Sequence, residues 1–234
     1  MQSKVDIGII GAMKIEIDGI KELMTNAVTI NISGIEFVKG EIQGKTVVTA
    51  VCGIGKVFSA VCAQTMILGF KPDVIINTGV AGGLTDKLAI GDIAVADKVV
   101  QHDIDTTALG DEPGLISGLN LVYIPTDEKI SSILAESVKE LGINCITGTV
   151  ATGDCFINDK EKKQSIIKKF SAVACEMEGG AIAQACYIND VPFSILRAIS
   201  DDGDENSHLD YSAFMKKAAE ISIEVIKCFI SRWK

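Results

Sequence analysis

Three acidic residues stand directly after apolar runs of the sequence, at positions where they could share one site. Glu16 follows the run that ends at Ile10, Glu178 follows residues 172–175, and Asp201 follows residues 192–199. Carboxylates supply general acids, general bases and acceptors for sugar hydroxyls. A single carboxylate of this kind could equally be a helix cap or an ion-pair partner. Their common placement favours cleavage of a glycosidic bond, which needs an acid at the leaving group, a base on water and an anion near the oxocarbenium-like carbon.

Glycine-containing turns follow the same apolar runs and could bring a ligand close to the backbone. The turns are Gly53-Ile54-Gly55, residues 78–83 and the turn at Gly153. Residues 40–46 resemble a phosphate-binding loop, but they have one residue too few between their glycines, so a hairpin is predicted there. The turn at residues 53–55 lacks the third glycine of a dinucleotide fingerprint, because Phe58 occupies that position. Neither nucleotide-binding pattern is therefore present.

Apolar periodicity predicts strands that alternate with helices, and so an α/β domain. We expect strands at residues 4–10, 35–42, 45–51, 74–77, 92–100, 145–151, 172–175 and 192–199. We expect helices at residues 55–69, 159–169 and 179–189, a further helix from Ile130 to Leu141 with Thr126 as its N-cap, and a last helix at the C-terminus with Asp210 as its N-cap. Most strands are continuous apolar runs, which is typical of a sheet covered on both faces. Ligand crevices of such sheets lie beyond the carboxyl ends of the strands, where the carboxylates and glycine turns fall. No linker or repeat divides the chain, so a single domain, residues 1–234, is expected.

Composition excludes several classes of function. The formal net charge of −9 would repel nucleic acids and acidic membranes, and no apolar run is long enough to span a bilayer. Seven scattered cysteines, with no Cys-x-x-Cys pair and no secretory signal, indicate reduced thiols and a cytoplasmic location. Only His102 and His208 are present, and neither is spaced from a cysteine as a zinc ligand would be. No metal and no cofactor are therefore expected.

Six motifs follow one another in a fixed order along the chain. They are Gly-Ile-Ile-Gly-Ala-Met (8–13), Gly-Ile-Gly-Lys-Val (53–57), Pro-Asp-Val-Ile-Ile-Asn-Thr-Gly-Val-Ala-Gly-Gly (72–83), Gly-Asp-Cys-Phe-Ile-Asn (153–158), Glu-Met-Glu (176–178) and Arg-Ala-Ile-Ser-Asp (197–201). Across essentially the whole chain, this set resembles the bacterial 5′-methylthioadenosine/S-adenosylhomocysteine nucleosidases. The resemblance implies the nucleoside phosphorylase/hydrolase fold, a three-layer α/β/α arrangement with a central mixed sheet, and a homodimer.

The same resemblance implies an activity. Members of the family cleave the N-glycosidic bond of 5′-methylthioadenosine and S-adenosylhomocysteine with water, and 5′-deoxyadenosine is expected as a further substrate. The products are adenine and the 5′-substituted ribose. The reaction would serve methionine salvage and the removal of by-products of S-adenosylmethionine.

Residue roles also follow from the resemblance, position by position. Asp201 matches the general acid that protonates adenine N7, and Glu16 matches the base that polarises the attacking water. Arg197 matches a partner of the catalytic carboxylates and water, and Glu178 would hold the ribose hydroxyls. The remaining substrate-contacting positions, from the base to the 5′-tail, are Phe156, Ile157, Gly82, Met177, Met13, Ile54 and Tyr211, together with Leu109 on a loop at residues 104–113 that closes the site of the partner subunit.

Several positions depart from the family pattern. They are Lys14-Ile15 before Glu16, where glutamates are common; Cys52 and Val80, where serine is common; Gly179-Gly180, in place of Ala-Thr; and Asp111, where the partner commonly supplies a tyrosine. The change at Asp111 leaves open which 5′-substituent is preferred.

Three other functions compete with this one. A phosphorylase of the same fold would use phosphate in place of water, but phosphate sites favour arginine clamps and the chain has only Arg197 and Arg232. A nucleosidase for another adenine nucleoside, such as an aminodeoxyfutalosine, would share the base and ribose contacts. A non-catalytic nucleoside-binding protein would need the crevice but not three carboxylates in acid, base and sugar roles.

Overall fold

Ten β-strands and six α-helices make up the part of the chain that the structure describes. A computed structural model describes residues 4–203 and 207–234, with the backbone alone at residues 207–210. The strands are β1 (Ile7–Gly11), β2 (Thr25–Ile32), β3 (Ile35–Ile42), β4 (Lys45–Val51), β5 (Val74–Gly83), β6 (Ile93–Gln101), β7 (Tyr123–Pro125), β8 (Cys145–Thr152), β9 (Ala172–Glu176) and β10 (Phe193–Asp201). The helices are α1 (Lys14–Glu22), α2 (Lys56–Phe70), α3 (Glu128–Glu140), α4 (Lys160–Phe170), α5 (Gly179–Ile188) and α6 (Ser207–Arg232). Within the described residues, no helix is both long and apolar enough to cross a membrane.

The strands form one mixed sheet, which confirms the predicted fold class. Its order is β10-β6-β8-β9-β5-β1-β4-β3-β2, with β7 paired to β6. A further pairing between β10 and β5 closes β5, β10, β6, β8 and β9 into a ring, from which the other strands extend as an open sheet. β1, β4 and β10 run parallel to their neighbours on the β5 side, whereas β9 meets β5 antiparallel.

Helices cover both faces of the sheet. On one face α2 and α5 pack together, and Met66 shares a buried cluster with Ile75 and Ile195 of the sheet. On the other face α1, α3 and α6 surround a second cluster that contains Ile76 and Leu196. Successive side chains of a strand point to opposite faces, so neighbouring residues of β5 and β10 serve different cores. This double burial explains why these strands are continuous apolar runs.

Two predicted helix starts are wrong. The N-cap of α3 is Asp127, whose carboxylate accepts a hydrogen bond from the Ile130 N–H at 2.9 Å. Thr126 instead donates its hydroxyl to the Ala96 carbonyl at 2.8 Å. The last helix begins at Ser207, so Asp210 lies inside it. At α3 several cap-forming residues stand close together in the sequence, and only the backbone geometry selects one of them.

Three elements are missing from the sequence prediction: α1, β2 and β7, of which β7 has only three residues. α1 has nine residues and buries Glu16, Ile17 and Ile20, which is too short an apolar pattern to be recognised. β2 lies at the edge of the sheet and is mostly exposed, so it has no apolar run. β5 is also longer than predicted, because the strand continues to Gly83 through a segment with the composition of a turn.

The crossing of β5 and β9 creates the crevice that holds the candidate site. These strands pair only where Gly82 meets Cys175 and Gly83 meets Ala174, near the carboxyl end of each strand. On the other side of β5, the register of β10 shifts so that Asp201 stands opposite Gly82. Such irregularities re-aim side chains at sheet ends. The end of β10 is thereby brought beside the end of β9.

Candidate active site

A cavity of about 270 Å³ lies where the segments after β1, β4, β8, β9 and β10 converge on β5. All of the predicted site residues except Arg197 and Leu109 line it: Met13, Glu16, Ile54, Gly82, Phe156, Ile157, Met177, Glu178, Asp201 and Tyr211. The other lining residues are Ala12, Val80, Ala81, Cys155, Cys175, Glu176 and Ser200. Residues from both ends of the chain thus meet in one crevice, as the strand-end argument predicted.

Glu16 is held rigidly at the start of α1. It is the third residue of that helix and 2% exposed, and its Oε2 accepts hydrogen bonds from the N–H groups of Ala12 and Met13 at 2.7 and 2.9 Å. These N–H groups have no partner within the helix, so a carboxylate that folds back satisfies them. Oε1 accepts from Val80 N–H at 3.1 Å. Burial raises the pKa of Glu16, although Arg197 and the three N–H groups oppose the rise. The result is a fixed carboxylate that is a stronger base than glutamate in water.

Glu178, the second carboxyl group of the cavity wall, lies at the start of α5. Its Oε1 accepts a hydrogen bond from Gly55 N–H at 2.9 Å, and its Oε2 lies 4.0 Å from Nη2 of Arg197. Burial and the neighbouring Glu176 raise the pKa of Glu178 to about 7, against the effects of Arg197 and the Gly55 N–H. This carboxyl group therefore changes its protonation state near neutral pH.

Asp201 closes the third side of the cavity, at the end of β10. It is almost fully buried, its Oδ2 accepts from the Ser200 hydroxyl at 2.8 Å, and its Oδ1 accepts from Gly203 N–H at 3.1 Å. Gly82 faces it so closely that a Cβ at this glycine would lie 2.9 Å from Oδ1. The glycine therefore leaves room for the carboxyl group and for a ligand beside it.

Arg197 lies behind the cavity and does not line it. Its guanidinium is 1% exposed, forms an ion pair with Glu176 and donates a hydrogen bond to Asn77. It also approaches Glu16 across Gly79, where a Cβ would lie 2.8 Å from Nη1. A buried guanidinium with this many anionic neighbours balances the charge of the carboxylates around it.

Sequence reasoning assigned no role to Glu176 or Asn77, the partners of Arg197. Glu176 also accepts hydrogen bonds from the Thr152 hydroxyl and, at 2.6 Å, from Gly179 N–H. Glu176 ends β9 and Asn77 lies within β5, and a buried polar group in an apolar strand requires a partner. Arg197 is one of only two arginines in the chain and lies in a buried strand, so the sequence did indicate that it needs buried acidic or polar partners such as Glu176 and Asn77.

The rest of the cavity wall is mostly apolar. The rings of Phe156 and Tyr211 meet edge to face with centroids 5.7 Å apart, and the Tyr211 hydroxyl donates to Sδ of Met13 at 3.2 Å. Ile157 is buried, whereas Ile54 is more than half exposed at the rim. Flat rings and thioether groups pack well on such surfaces. The wall therefore suits a planar apolar ligand with a soft tail.

Leu109 lies outside this cavity, in a short 3₁₀ turn (Thr107–Leu109), and is 82% exposed. The surrounding loop makes its own hydrogen bonds: Thr106 donates its hydroxyl to Asp111 at 2.7 Å, and Asp105 accepts from Thr107 N–H at 2.9 Å. The loop therefore presents an apolar side chain away from the site of its own chain.

The charged groups of the cavity wall are all carboxylates. They are Glu16, Glu176, Glu178 and Asp201, and the described lining includes no lysine, arginine or histidine. Among the described residues, no group of three or more His, Cys, Asp or Glu side chains is arranged so that it could hold a metal ion. Such a wall disfavours anions and stabilises positive charge that develops on a bound ligand.

Comparisons with known proteins agree with this geometry. Residues 6–231 match the family described as the phosphorylase superfamily. A 5′-methylthioadenosine/S-adenosylhomocysteine nucleosidase of Shewanella halifaxensis is 42% identical over 218 residues, which are 92% of this chain and 94% of the relative. The solved nucleosidase of Neisseria meningitidis, in complex with methylthio-immucillin-A, is 32% identical, with 99% and 100% of the two chains covered and a TM-score of 0.94.

A solved structure described as futalosine hydrolase of Helicobacter pylori is also similar. It is 36% identical, its alignment covers 99% of this chain and 98% of that one, and its TM-score is 0.93. Sequence identity and structural similarity thus extend over nearly the whole chain. The chain belongs to the phosphorylase superfamily and, within it, to the family of 5′-methylthioadenosine/S-adenosylhomocysteine nucleosidases.

Proposed function

We propose that the chain hydrolyses the N-glycosidic bond of 5′-methylthioadenosine and S-adenosylhomocysteine and releases adenine with the 5′-substituted ribose. The observation that carries this proposal is the set of three buried carboxyl groups, Glu16, Glu178 and Asp201, around one cavity. The names of the similar proteins supply the substrate class. 5′-Deoxyadenosine fits the same site as a further substrate, and the reaction contributes to methionine salvage.

The bond cleavage uses the three carboxyl groups in different roles. As the bond between C1′ and N9 breaks, its electron pair stays with adenine, and Asp201 delivers a proton to N7 to make the base a neutral leaving group. A water oxygen attacks C1′ and gives its proton to Glu16. Glu178 accepts hydrogen bonds from the ribose hydroxyls, and the carboxylates together stabilise positive charge on the sugar. Arg197, paired with Glu176, keeps the surrounding charges in balance.

The remaining wall binds the two ends of the nucleoside. The Phe156 ring stacks on adenine, and the backbone at residues 156 and 157 recognises the edge of the base. Gly82 and Met177 lie against the base and the ribose. The alkylthio end is shaped by Met13, Ile54 and Tyr211, which contact or adjoin one another in the cavity.

Water, and not phosphate, is the nucleophile in this proposal. A phosphate ion in the described cavity would meet four carboxylates and no cationic lining residue. Arg197 is engaged by Glu176 behind the wall and is not available as a clamp. Phosphate sites use cationic or N–H donors, so this wall favours a neutral nucleophile.

A nucleoside of the futalosine type is the second candidate substrate. The observation that favours it is the similarity to the structure described as futalosine hydrolase, at a TM-score of 0.93. The base and ribose contacts would be shared, so the 5′-substituent alone distinguishes the candidates. We expect the highest kcat/KM with a 5′-thio substituent; a higher value with the futalosine-type nucleoside would reverse the assignment.

The active form in this proposal is a homodimer whose 104–113 loops, including Leu109, close the partner's site. Support comes from an exposed apolar face on α2, where Val57 and Phe58 are 75% and 63% exposed, with Val61 and the rim residue Ile54 beside them. Exposed apolar patches of this kind mark protein interfaces. Sedimentation should show a dimer, and a fully active monomer would contradict the proposal.

We further propose that the chain acts as a single domain, residues 1–234, in the cytoplasm. The ring-forming sheet that runs from β1 to β10 and the family match over residues 6–231 support one domain. The seven free cysteine thiols support a reducing compartment.

Two isosteric variants test the proposed roles. Glu16→Gln and Asp201→Asn should each abolish turnover, since loss of one proton-transfer group costs about 100- to 10,000-fold. Both variants should stay folded, as judged by circular dichroism and Tm, and both should still bind adenine. Near-full activity in either variant would remove that residue from its role.

A further inference from the structure

Three charged residues outside the cavity wall connect the loops that follow β4, β6 and β8. Nζ of Lys56 lies 2.6 Å from Oδ1 of Asp103, and Oδ2 of Asp103 accepts a hydrogen bond from Asp154 N–H at 2.9 Å. Oδ1 of Asp154 accepts from Lys56 N–H at 2.8 Å, which closes the circuit. We name Lys56, Asp103 and Asp154 the loop clasp. Its members are separated by 47 to 98 residues in the chain, so it ties together segments that lie far apart in the sequence.

Each member of the loop clasp adjoins a segment of the site. Lys56 follows Gly55, whose N–H donates to Glu178. Asp154 precedes residues 155–157, which line the base side of the cavity. Asp103 stands at the base of the 104–113 loop. The clasp itself does not line the cavity, so its members act only through these neighbours.

Gly55 lies in direct contact with the clasp. Gly55 is the N-cap of α2 with φ +97°, and it has no side chain that could cap the helix. Asp154 caps it from another loop, and a Cβ at Gly55 would lie 3.0 Å from Oδ1 of Asp154. This close fit sets the direction in which the Gly55 N–H points, and that direction is toward Glu178.

The clasp is charged and only partly shielded from water, since Asp103 and Asp154 lie at the surface. The side chains of Lys56 and Asp103 are 19% and 29% exposed. Although burial acts in the opposite direction, hydrogen bonds from Lys56 and from Asp154 N–H hold the pKa of Asp103 below its usual range. Charge-assisted hydrogen bonds in such partly shielded places are stronger than ion pairs in open water.

We propose that the loop clasp consists of positioning residues that fix the Gly55 N–H against Glu178 and hold residues 155–157 against the base. This inference rests on the proposed nucleosidase function and deepens it. Loss of the clasp loosens two substrate-binding segments at once, so it weakens binding more than it slows the chemical step. It also removes a donor that stabilises the ionised form of Glu178.

The test compares Asp103→Asn, Asp154→Asn and Lys56→Met with the wild type by steady-state adenine release from 5′-methylthioadenosine. We expect KM to rise about tenfold or more in each variant while kcat changes less, as for the loss of one charge-assisted hydrogen bond. Adenine affinity, measured by calorimetry, should fall in parallel. Lys56→Arg should retain part of the adenine affinity that Lys56→Met loses. Lys21→Met is the matched control, because Lys21 is 22% exposed and pairs with Glu36 at 3.2 Å away from the cavity.

The pH profile separates positioning from a direct charge effect. Besides Gly55 N–H, the titratable and charged groups around Glu178 are Glu16, Cys52, Glu176, Arg197 and Tyr211, all unchanged in these variants. Removing the negative charge of Asp103 would by itself lower the pKa of Glu178. Losing the Gly55 hydrogen bond raises it. The positioning proposal therefore predicts that the acid limb of kcat/KM moves to higher pH in Asp103→Asn, whereas a direct charge effect alone would move it to lower pH.

The outcome for Asp103→Asn decides the matter, with KM as the primary readout and the acid limb as its check. The proposal is overturned if KM of Asp103→Asn stays within about twofold of the wild type and the acid limb of kcat/KM is unmoved or moves to lower pH. A twofold change in KM corresponds to less than about 0.5 kcal/mol. If this variant does not fold, as seen by circular dichroism, Lys56→Met carries the same KM and calorimetric test. Absence of adenine release from the wild type would overturn the proposed function instead, so the two failures are distinguishable.

Discussion

Adding one methyl group at Gly79 should disable the reaction while the fold survives. Gly79 lies in β5, opposite Arg197 of β10, with an ordinary strand backbone that an alanine can adopt. A Cβ there would lie 2.7 Å from Oε1 of Glu16 and 2.8 Å from Nη1 of Arg197. The new methyl group therefore meets the proposed water base and its arginine neighbour directly.

The size of the effect follows from how tightly these two side chains are held. To reach an ordinary contact of 3.4 Å, Oε1 must retreat by about 0.7 Å. It cannot do so freely, because the N–H groups of Ala12, Met13 and Val80 fix both oxygens of Glu16. A displacement approaching 1 Å costs about 100-fold in rate. Overpacking costs about 1–3 kcal/mol of stability, which lowers Tm by roughly 2–12 °C for a chain of this size.

The assay is steady-state adenine release with Tm measured in parallel. For Gly79→Ala we expect kcat to fall about 100-fold with a smaller change in KM, since Glu16 acts on water and not on the bound nucleoside. Gly118→Ala is the control, because a Cβ at Gly118 would have no neighbour within 4 Å and its φ is not positive. A Gly79→Ala enzyme that is folded and has wild-type kcat would refute the claim that Glu16 must occupy this place.

Three further outcomes are expected. kcat/KM should fall as the pH drops through about 7, by about tenfold per unit, because Glu178 becomes protonated there and can no longer accept two ribose hydroxyls; a pH-independent rate between about pH 5 and 8 would contradict this. Gly82→Ala should lower kcat more than it lowers adenine affinity, since its Cβ would lie 2.9 Å from Oδ1 of Asp201; unchanged kinetics would place the proton donor elsewhere. Phe58→Asp should shift sedimentation toward the monomer and reduce activity, and a fully active dimer would count against the α2 face as the interface.

The sequence predicted most of the sheet because the inner strands are buried on both faces. β1, β9 and β10 read as apolar runs for that reason, and the carboxylates that follow or end them could be placed in one crevice. β2 and α1 escaped the same reasoning, because an exposed edge strand and a nine-residue helix have too little apolar pattern. The closure of five strands into a ring depends on pairings between distant segments, which periodicity does not report.

The site could be predicted residue by residue but not as a network. Types and motifs indicated Glu16, Glu178 and Asp201, and all three line the cavity. The pairing of Arg197 with Glu176, and the ring of contacts in the loop clasp, join residues far apart in the chain. Nothing in local spacing specifies such partners, because they depend on which strand ends become neighbours in the folded sheet.

Adenine release from 5′-methylthioadenosine in phosphate-free buffer, repeated with phosphate added, tests the central claim most directly. The cavity wall carries four carboxylates and, within its described lining, no cationic side chain, so water should suffice as the nucleophile. We predict equal rates of adenine release in both buffers, with the free 5′-thioribose as the second product. Release that strictly required phosphate and yielded a sugar phosphate would contradict the account and remove Glu16 from its role as the water base.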